Sequence, residues 1–216
     1  MKPILFNTEM VRAILEGRKT VTRRVVKTKH KDACGFYVTT RPSDGVKWVY
    51  DYDEHESMYG SPQTPPYWVN DILWVRETWA INPRPNMYGN YYYKANRKAV
   101  APEGTKWKPS IHMPKEAARI FLRVTGVRVE RLQDMKLEDF LNEGISIDED
   151  EVLRELNLLC DDDSLAEAKF RQLWDSTLGR PHTPEYYGNC WSNNPYVWVI
   201  EFEVISKEEA LAAAVL

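Results

Sequence analysis

A dense run of cations and hydroxyls at residues 17–24 is the part of the sequence best suited to chemistry. It holds four cations and two hydroxyls at a predicted junction between a helix and a strand. Neighbouring positive charges and partial burial both lower the pKa of a lysine, which would let Lys19 serve as a general base. The hydroxyl of Thr22 is then a candidate nucleophile. Three further residues of the run are candidates for substrate binding: Thr20, Arg23 and Arg24.

Two carboxylates occupy positions that disfavour an isolated negative charge. Glu143 ends a predicted helix, where the negative end of the helix dipole disfavours the ionised carboxylate and so suits an acid or base. Glu77 shares the apolar face of a predicted strand with Trp79, and a carboxylate there is costly unless it is paired. We therefore predict Arg24 as the partner of Glu77, and we include Glu77 and Trp79 among the substrate-binding candidates.

Each of these features also has a structural interpretation. The basic run is typical of a solvated edge strand that keeps a sheet soluble. Glu143 could be an exposed glutamate that the helix end tolerates, and Glu77 could belong to a buried ion pair with no role beyond packing. His112, between apolar residues and next to a proline, is either a loop anchor or a residue that stacks on or protonates a base.

Aromatic residues are unusually frequent outside the predicted core elements. Aromatic rings beside a basic strand are how single-stranded RNA and flipped bases are held. The alternative is that the rings form small cores that pin long loops. The residues concerned are Tyr37, Trp48, Tyr50, Tyr52, Tyr59, Tyr67, Trp68, Tyr88, Tyr91, Tyr92, Tyr93 and Trp107.

The elements that must position these residues predict an α+β protein. Helices are predicted at 8–16, 134–143 and 164–177, followed by a short terminal helix or disorder. Strands are predicted at 20–26, 36–40, 47–52, 72–79, 91–94, 120–131 and 196–204. The strands at 36–40 and 47–52 are expected to form a hairpin, and the last strand alternates with Trp198, Ile200, Phe202 and Val204 on one face. The apolar alternation changes phase at Gly126, which predicts a β-bulge and a bend. Because the order of elements has no βαβ rhythm, we expect a small mixed or antiparallel barrel with flanking helices.

Length and composition fit one globular domain without a membrane span. The 216 residues are 28% charged with a mean hydropathy of -0.54, and no stretch reaches the roughly 18 apolar residues of a membrane helix. Three scattered cysteines predict a reducing cytoplasm rather than a disulfide framework. Without a C-x-x-C or H-x-x-x-H pattern, we predict no metal and no cofactor. The oligomeric state is left open.

The net charge of -3 hides a strong segregation. Residues 1–31 carry nine Lys or Arg against two Glu, whereas residues 130–175 carry fifteen Asp or Glu against five Lys or Arg. This asymmetry favours a basic site on an otherwise acidic protein. A patch of each sign that merely neutralises the other across the fold is the alternative.

Several segments, taken in order, resemble a known family. They are residues 14–24, the stretch Asn70-Asp71 to Trp79, the strand at 120–131, the helix ending at Glu143-Gly144 and the strand at 197–204. In this combination they resemble the ASCH domain family, in which many members have Gly-Asp at the second segment. The resemblance implies one PUA-like barrel domain over residues 1–205 and a tail at 206–216. Insertions at about 28–68, 82–118 and 146–163 resemble those of a longer subgroup common in phages and prophages, as does the piece at 109–114.

The resemblance also implies a function. Small ASCH members include amidohydrolases that remove the acetyl group from N4-acetylcytidine, and their pattern falls here on Lys19, Thr22 and Glu143. Other members are associated with RNA binding and with ribonuclease activity. We therefore expect RNA or a modified nucleoside as the partner. Amide hydrolysis, non-catalytic RNA binding and cleavage of single-stranded RNA remain open as activities.

Overall fold

A computed structural model describes residues 1–43, 46–86, 89–96, 101–147, 162–179, 183 and 188–213. In these parts of the chain the fold combines helices and strands, so the predicted α+β class is confirmed. In chain order the elements are β1 (Lys2–Leu5), α1 (Thr8–Leu15), β2 (Val21–Val25), β3 (Gly35–Thr40), β4 (Lys47–Tyr52), β5 (Ile72–Arg76), β6 (Trp79–Asn86), β7 (Gly89–Tyr93), β8 (Phe121–Arg131), α2 (Leu137–Asn142), α3 (Asp162–Thr177), β9 (Tyr196–Ile205) and α4 (Lys207–Ala213).

The central sheet has five strands in the order β1-β5-β8-β9-β2. β1 runs parallel to β5 and every other pairing in the sheet is antiparallel. The backbone pairings among the described residues leave the sheet open between β2 and β1. A side chain nevertheless joins these two edges, because Arg24 Nη2 donates to the carbonyl oxygen of Leu5 at 3.0 Å. The sheet is therefore curled enough to bring its outer strands within reach of one arginine.

β8 and β9 form the long central pair of this sheet. Their register runs from Phe121 opposite Ile205 to Arg131 opposite Tyr196, with a shift between Val124 and Gly126. The shift confirms the predicted irregularity at Gly126. Such a bulge increases the local twist, which helps a sheet to curl.

Both faces of the sheet are buried, because different helices cover them. On one face Trp198, Ile200 and Phe202 of β9 pack in a core with α1. On the other face Val197 and Val199 pack with α2 and α3. The predicted alternation on β9 is therefore confirmed up to Phe202. The expected burial fails at Val204, which is 56% exposed, because the end of β9 extends beyond both of these cores.

The predicted insertions contain regular structure where they are described. β3 and β4 form the expected hairpin, with Val38 opposite Val49. β6 and β7 form a second two-stranded sheet, followed by short 3-10 turns at Ser110–His112 and Lys115–Ala117. Residues 148–161, most of the third predicted insertion, lie outside the described residues, as does Tyr88.

The strands differ from the sequence-based expectation in two places. β1 was not predicted, and the predicted strand at 72–79 is divided between β5 and β6. The strand is interrupted at Glu77. The backbone N–H of this residue donates to Met113 Sδ at 3.2 Å and not to a neighbouring strand. Within the described chain, no helix combines the length and apolar character needed to cross a bilayer.

Gly144 ends α2 at the point where this helix meets α1. The glycine has a φ of 94°, and a Cβ atom placed on it would lie 2.7 Å from Ala13 Cβ and 3.1 Å from Lys19 Cβ. The predicted glycine after the helix is thus confirmed, with two independent reasons. The left-handed conformation disfavours a side chain, and α1 leaves no space for one.

Replacing Gly144 should therefore destabilise the fold. We expect Gly144→Ala to lower the free energy of unfolding by about 2–4 kcal/mol, since it adds left-handed strain to overpacking. Urea denaturation followed by circular dichroism measures the change. Gly60→Ala is the matched control, because a Cβ atom placed on Gly60 would have no other atom within 4 Å. Equal stability of the two variants would contradict the close approach of α1 and α2.

Candidate functional site

Lys19 and Glu143 form a buried ion pair at the centre of the predicted site. Their side chains are 0% and 4% exposed, and Lys19 Nζ donates directly to Glu143 Oε2. The other two ammonium protons go to the carbonyl oxygens of Val21, at 2.8 Å, and Glu143, at 3.0 Å. A lysine has three donors, so these acceptors use the full hydrogen-bonding capacity of Lys19.

Arg23 extends this pair into a cluster of five charges. Its guanidinium donates to Glu143 Oε1 at 3.2 Å, to Glu130 Oε1 at 2.7 and 3.0 Å, and to Asp139 Oδ1 at 2.9 Å. We call Lys19, Arg23, Glu130, Asp139 and Glu143 the ion cluster. Two buried cations therefore face three carboxylates, an arrangement that offsets the cost of removing these charges from water.

The backbone brings Lys19 and Glu143 together before their side chains meet. Gly17 adopts a φ of 74° and ends α1, so the chain turns back along the end of α2. Lys19 and Glu143 then form an isolated antiparallel bridge, and Thr20 N–H donates to the carbonyl oxygen of Asn142 at 2.9 Å. The cluster thus joins the turn after α1 and strand β2 to the end of α2.

Burial and neighbouring charges shift the pKa values of three members of the ion cluster. Burial lowers the pKa of Lys19, and Arg24 and Arg23 lower it further, while Glu143 opposes the change. Burial also disfavours the charged form of Arg23, but Glu143 and Glu130 outweigh it and raise the pKa. For Asp139 the effect of burial is outweighed by hydrogen bonds from the Lys136 backbone and from Arg23, so its pKa is lowered.

A cleft of about 850 Å³ lies beside the cluster, between the start of α1, strand β2 and the end of α3. Arg23, Arg24 and Lys27 are among its lining residues, and none of the described lining residues is Asp or Glu. Arg23 is held by the ion cluster, so Arg24 and Lys27 are the described lining cations that remain outside the cluster. The cleft is therefore a basic site on a protein of negative net charge.

Arg24 lies outside the ion cluster and contacts backbone oxygens and an aromatic ring. Its guanidinium lies 5.5 Å from the ring centroid of Phe6 and donates to the carbonyl oxygens of Leu5 and Arg23. It has no carboxylate partner in the described chain. Arginine offers five N–H donors and remains charged, so donors are left over for an anion in the cleft.

The predicted pairing of Glu77 with Arg24 is wrong. Glu77 is 1% exposed and its carboxylate binds Arg119 through two contacts, at 2.8 and 2.9 Å. Arg119 also donates to Asn96 Oδ1 at 2.6 Å and lies 4.1 Å from the ring centroid of Tyr93. The physical reason is that Arg119 comes just before β8, the antiparallel neighbour of β5, whereas β2 does not pair with β5.

The other predicted residues are divided between the core and the surface. Thr22 is 1% exposed, and Trp79 packs in a small core with Met113 and Ala117. Thr20 and His112 are exposed, and His112 ends a 3-10 turn. Of the nine predicted site residues only Arg23 and Arg24 line the cleft.

Other lining residues were missed by the sequence reasoning. Lys27 lies in the basic segment that was recognised, but its position beyond the 17–24 motif kept it out of the candidates. Tyr67 and Thr78 were missed as members of this site because they come from different parts of the chain. Asn7 caps α1 by accepting from Met10 N–H, a pattern that the sequence could have indicated.

Comparison with known proteins identifies no relative: no family model, no curated protein and no solved structure matches the chain. Among the described residues, no group of three or more His, Cys, Asp or Glu side chains is arranged to hold a metal ion. The site is therefore characterised by its own geometry.

Breaking the ion cluster should be costly, whereas removing a matched pair should cost less. We expect Glu143→Gln to lower the free energy of unfolding by about 3–5 kcal/mol, because it leaves buried cations undercompensated. The double variant Lys19→Met with Glu143→Gln should lose clearly less than the sum of the two single variants. Chemical denaturation of the four proteins measures this coupling.

Glu116→Gln, an exposed change of the same type, is the control and should stay within about 0.5 kcal/mol of the unsubstituted protein. Additive losses for Lys19 and Glu143 would show that the pair does not act as a unit.

Proposed function

We propose that this protein binds single-stranded RNA or a modified nucleoside in the cleft. The observation that carries the proposal is the lining of the cleft, whose described residues include Arg24 and Lys27 outside the ion cluster and no carboxylate, on a protein with a net charge of -3. A basic concavity on an acidic molecule concentrates an anionic ligand at one place and repels it elsewhere. Such a charge pattern favours a short or single-stranded ligand over a long duplex.

The individual contacts support phosphate and base recognition. Arg24 has unused donors and Lys27 is exposed, so both can contact phosphate oxygens. Tyr67 adds an aromatic ring to the same cleft, with its hydroxyl donating to the Pro3 carbonyl oxygen at 2.8 Å. Proteins that bind single-stranded nucleic acid commonly combine cations with aromatic rings on which bases stack.

We also propose that the fold is a PUA-like barrel of the ASCH family, as the sequence resemblance implies. The curled five-stranded sheet, the bulge at Gly126 and the Arg24 contact to Leu5 support this proposal. In this interpretation the side chain of Arg24 has two roles. It links β1 to β2, and it binds the ligand in the cleft.

RNA affinity should depend on salt and on the cleft cations. With two phosphate contacts, a rise in salt from 50 to 200 mM should weaken binding to a labelled single-stranded RNA roughly sevenfold. Lys27→Gln should reduce this change to about threefold, since one contact is lost. Arg24→Gln should also weaken binding. Fluorescence anisotropy measures all three.

Lys207→Gln makes the same charge change at an exposed position away from the cleft and should bind like the unsubstituted protein. Salt-independent binding, or equal effects of Lys27→Gln and Lys207→Gln, would contradict the cleft as the binding site. Electrophoresis of the recovered RNA distinguishes binding from cleavage: intact RNA is the expected result, and shortened RNA would favour the ribonuclease alternative.

Amide hydrolysis of N4-acetylcytidine is the second candidate function. The observation that favours it is the direct contact of Lys19 with Glu143, two of the residues that the family resemblance implies for catalysis. Lys19, Thr22 and Glu143 are at most 4% exposed and do not line the cleft. Catalysis would therefore require the substrate to displace the contacts that cover them, so we place this function second to binding.

Incubation with N4-acetylcytidine tests the second candidate. If hydrolysis occurs, chromatography should show cytidine and acetate, and Thr22→Val should abolish turnover while the fold remains, because only a hydroxyl is replaced. Thr20→Val, at an exposed neighbouring position, is the control that should remain active. No product from the unsubstituted protein, or full turnover by Thr22→Val, would remove this candidate.

A further inference from the structure

A second cavity, of about 770 Å³, lies between the β3–β4 hairpin, the segment before β5 and strand β8. Its volume falls within the roughly 300–1,000 Å³ typical of small-molecule sites. Its lining is mainly apolar and shares no residue with the cleft. We propose that this cavity is a separate pocket for a single nucleobase, and the proposal does not depend on RNA binding in the cleft.

Two residues of the lining carry buried donors that have no partner among the described residues. Trp48 Nε1 and Gln63 Nε2 are buried without a hydrogen bond, although both residues line the cavity. Gln63 is only 6% exposed. A buried polar group without a partner destabilises the protein, so a ligand that supplies acceptors would relieve this cost. Nucleobase edges present carbonyl oxygens and ring nitrogens of this kind.

The remaining lining suits a flat aromatic ligand attached to a negative group. Trp68 is 56% exposed at the cavity, which leaves much of its ring open for stacking. Arg41 lies 5.3 Å from the ring centroid of Trp48, and Lys47 is exposed nearby. Among the described residues, the lining includes Arg41, Lys47 and Arg128 against the carboxylate of Glu130, and Arg128 is itself ion-paired with Glu201. Stacking faces beside cations match a base that carries a phosphate.

The two cavities are neighbours across the segment before β5. Tyr67 lines the cleft, whereas the next residue, Trp68, lines the second cavity. Arg23 of the cleft and Glu130 of the second cavity form an ion pair at 2.7 Å. Either a free nucleotide or one base of a longer RNA could therefore reach the pocket, and the two sources share the same chemistry.

Indole N–H signals provide a site-specific test. The protein has eight tryptophans, and ¹⁵N-labelled protein would be titrated with AMP, CMP, GMP or UMP and, separately, with a single-stranded RNA. We expect the Trp48 and Trp68 signals, assigned with Trp48→Phe and Trp68→Ala, to shift on ligand addition. The Trp74 signal should stay in place, because Trp74 is 8% exposed and lines neither cavity. Shifts with the mononucleotides identify a free-nucleotide pocket, and shifts with RNA alone identify a base within a strand.

Affinity measurements on variants complete the test. Trp68→Ala should weaken binding about tenfold through the loss of one stacking surface, and Gln63→Leu should weaken it by removing the unpaired donor. Trp107→Ala, outside this cavity, should not. Arg24→Gln should leave the Trp48 shift with mononucleotides unchanged, which separates this pocket from the cleft. The inference is overturned if neither ligand moves the Trp48 or Trp68 signal, or if Trp68→Ala binds as tightly as the unsubstituted protein.

Discussion

The buried contact between Lys19 and Glu143 is the interaction on which the rest of the structure depends. It joins residues 124 positions apart in sequence and, with Arg23, connects the turn after α1, strand β2 and the end of α2. Charges this deeply buried are stable only when their partners are in place. The ion cluster therefore favours one relative position of these elements, and β2 carries Arg24 and Lys27 to the cleft as a consequence.

The charge distribution follows from this arrangement. Arg23 and Lys19 are neutralised inside the protein, whereas Arg24 and Lys27 meet no carboxylate among the cleft residues that the structure describes. The basic run that looked uniform in sequence thus divides, because Lys19 and Arg23 are held in the ion cluster whereas Arg24 lies outside it along the cleft. Alternation along β2 explains the division, since Arg23 faces the core with α2 and α3 while Arg24 faces the core with α1.

Local features were well predicted from the sequence because their causes are local. The irregularity at Gly126, the helix end at Gly144 and the β3–β4 hairpin each depend on neighbouring residues. Contacts between distant residues were harder to predict. An apolar alternation showed that Glu77 would be buried, but not that Arg119 rather than Arg24 would bind it. The contact between Lys19 and Glu143 was suggested by the family resemblance alone, and neither cavity could be outlined before the strand order was known.

The central claim is that Arg24 and Lys27 bind an RNA or nucleotide ligand, while the ion cluster fixes the position of strand β2, which carries Arg24 and precedes Lys27. The most direct measurement is a crystal structure of the protein with a short single-stranded RNA. We predict phosphate groups within hydrogen-bonding distance of Arg24 and Lys27, with the contacts of Lys19 to Glu143 and Val21 retained. RNA bound elsewhere with the cleft empty, or a base in direct contact with Lys19 after the Glu143 pair has opened, would contradict this account.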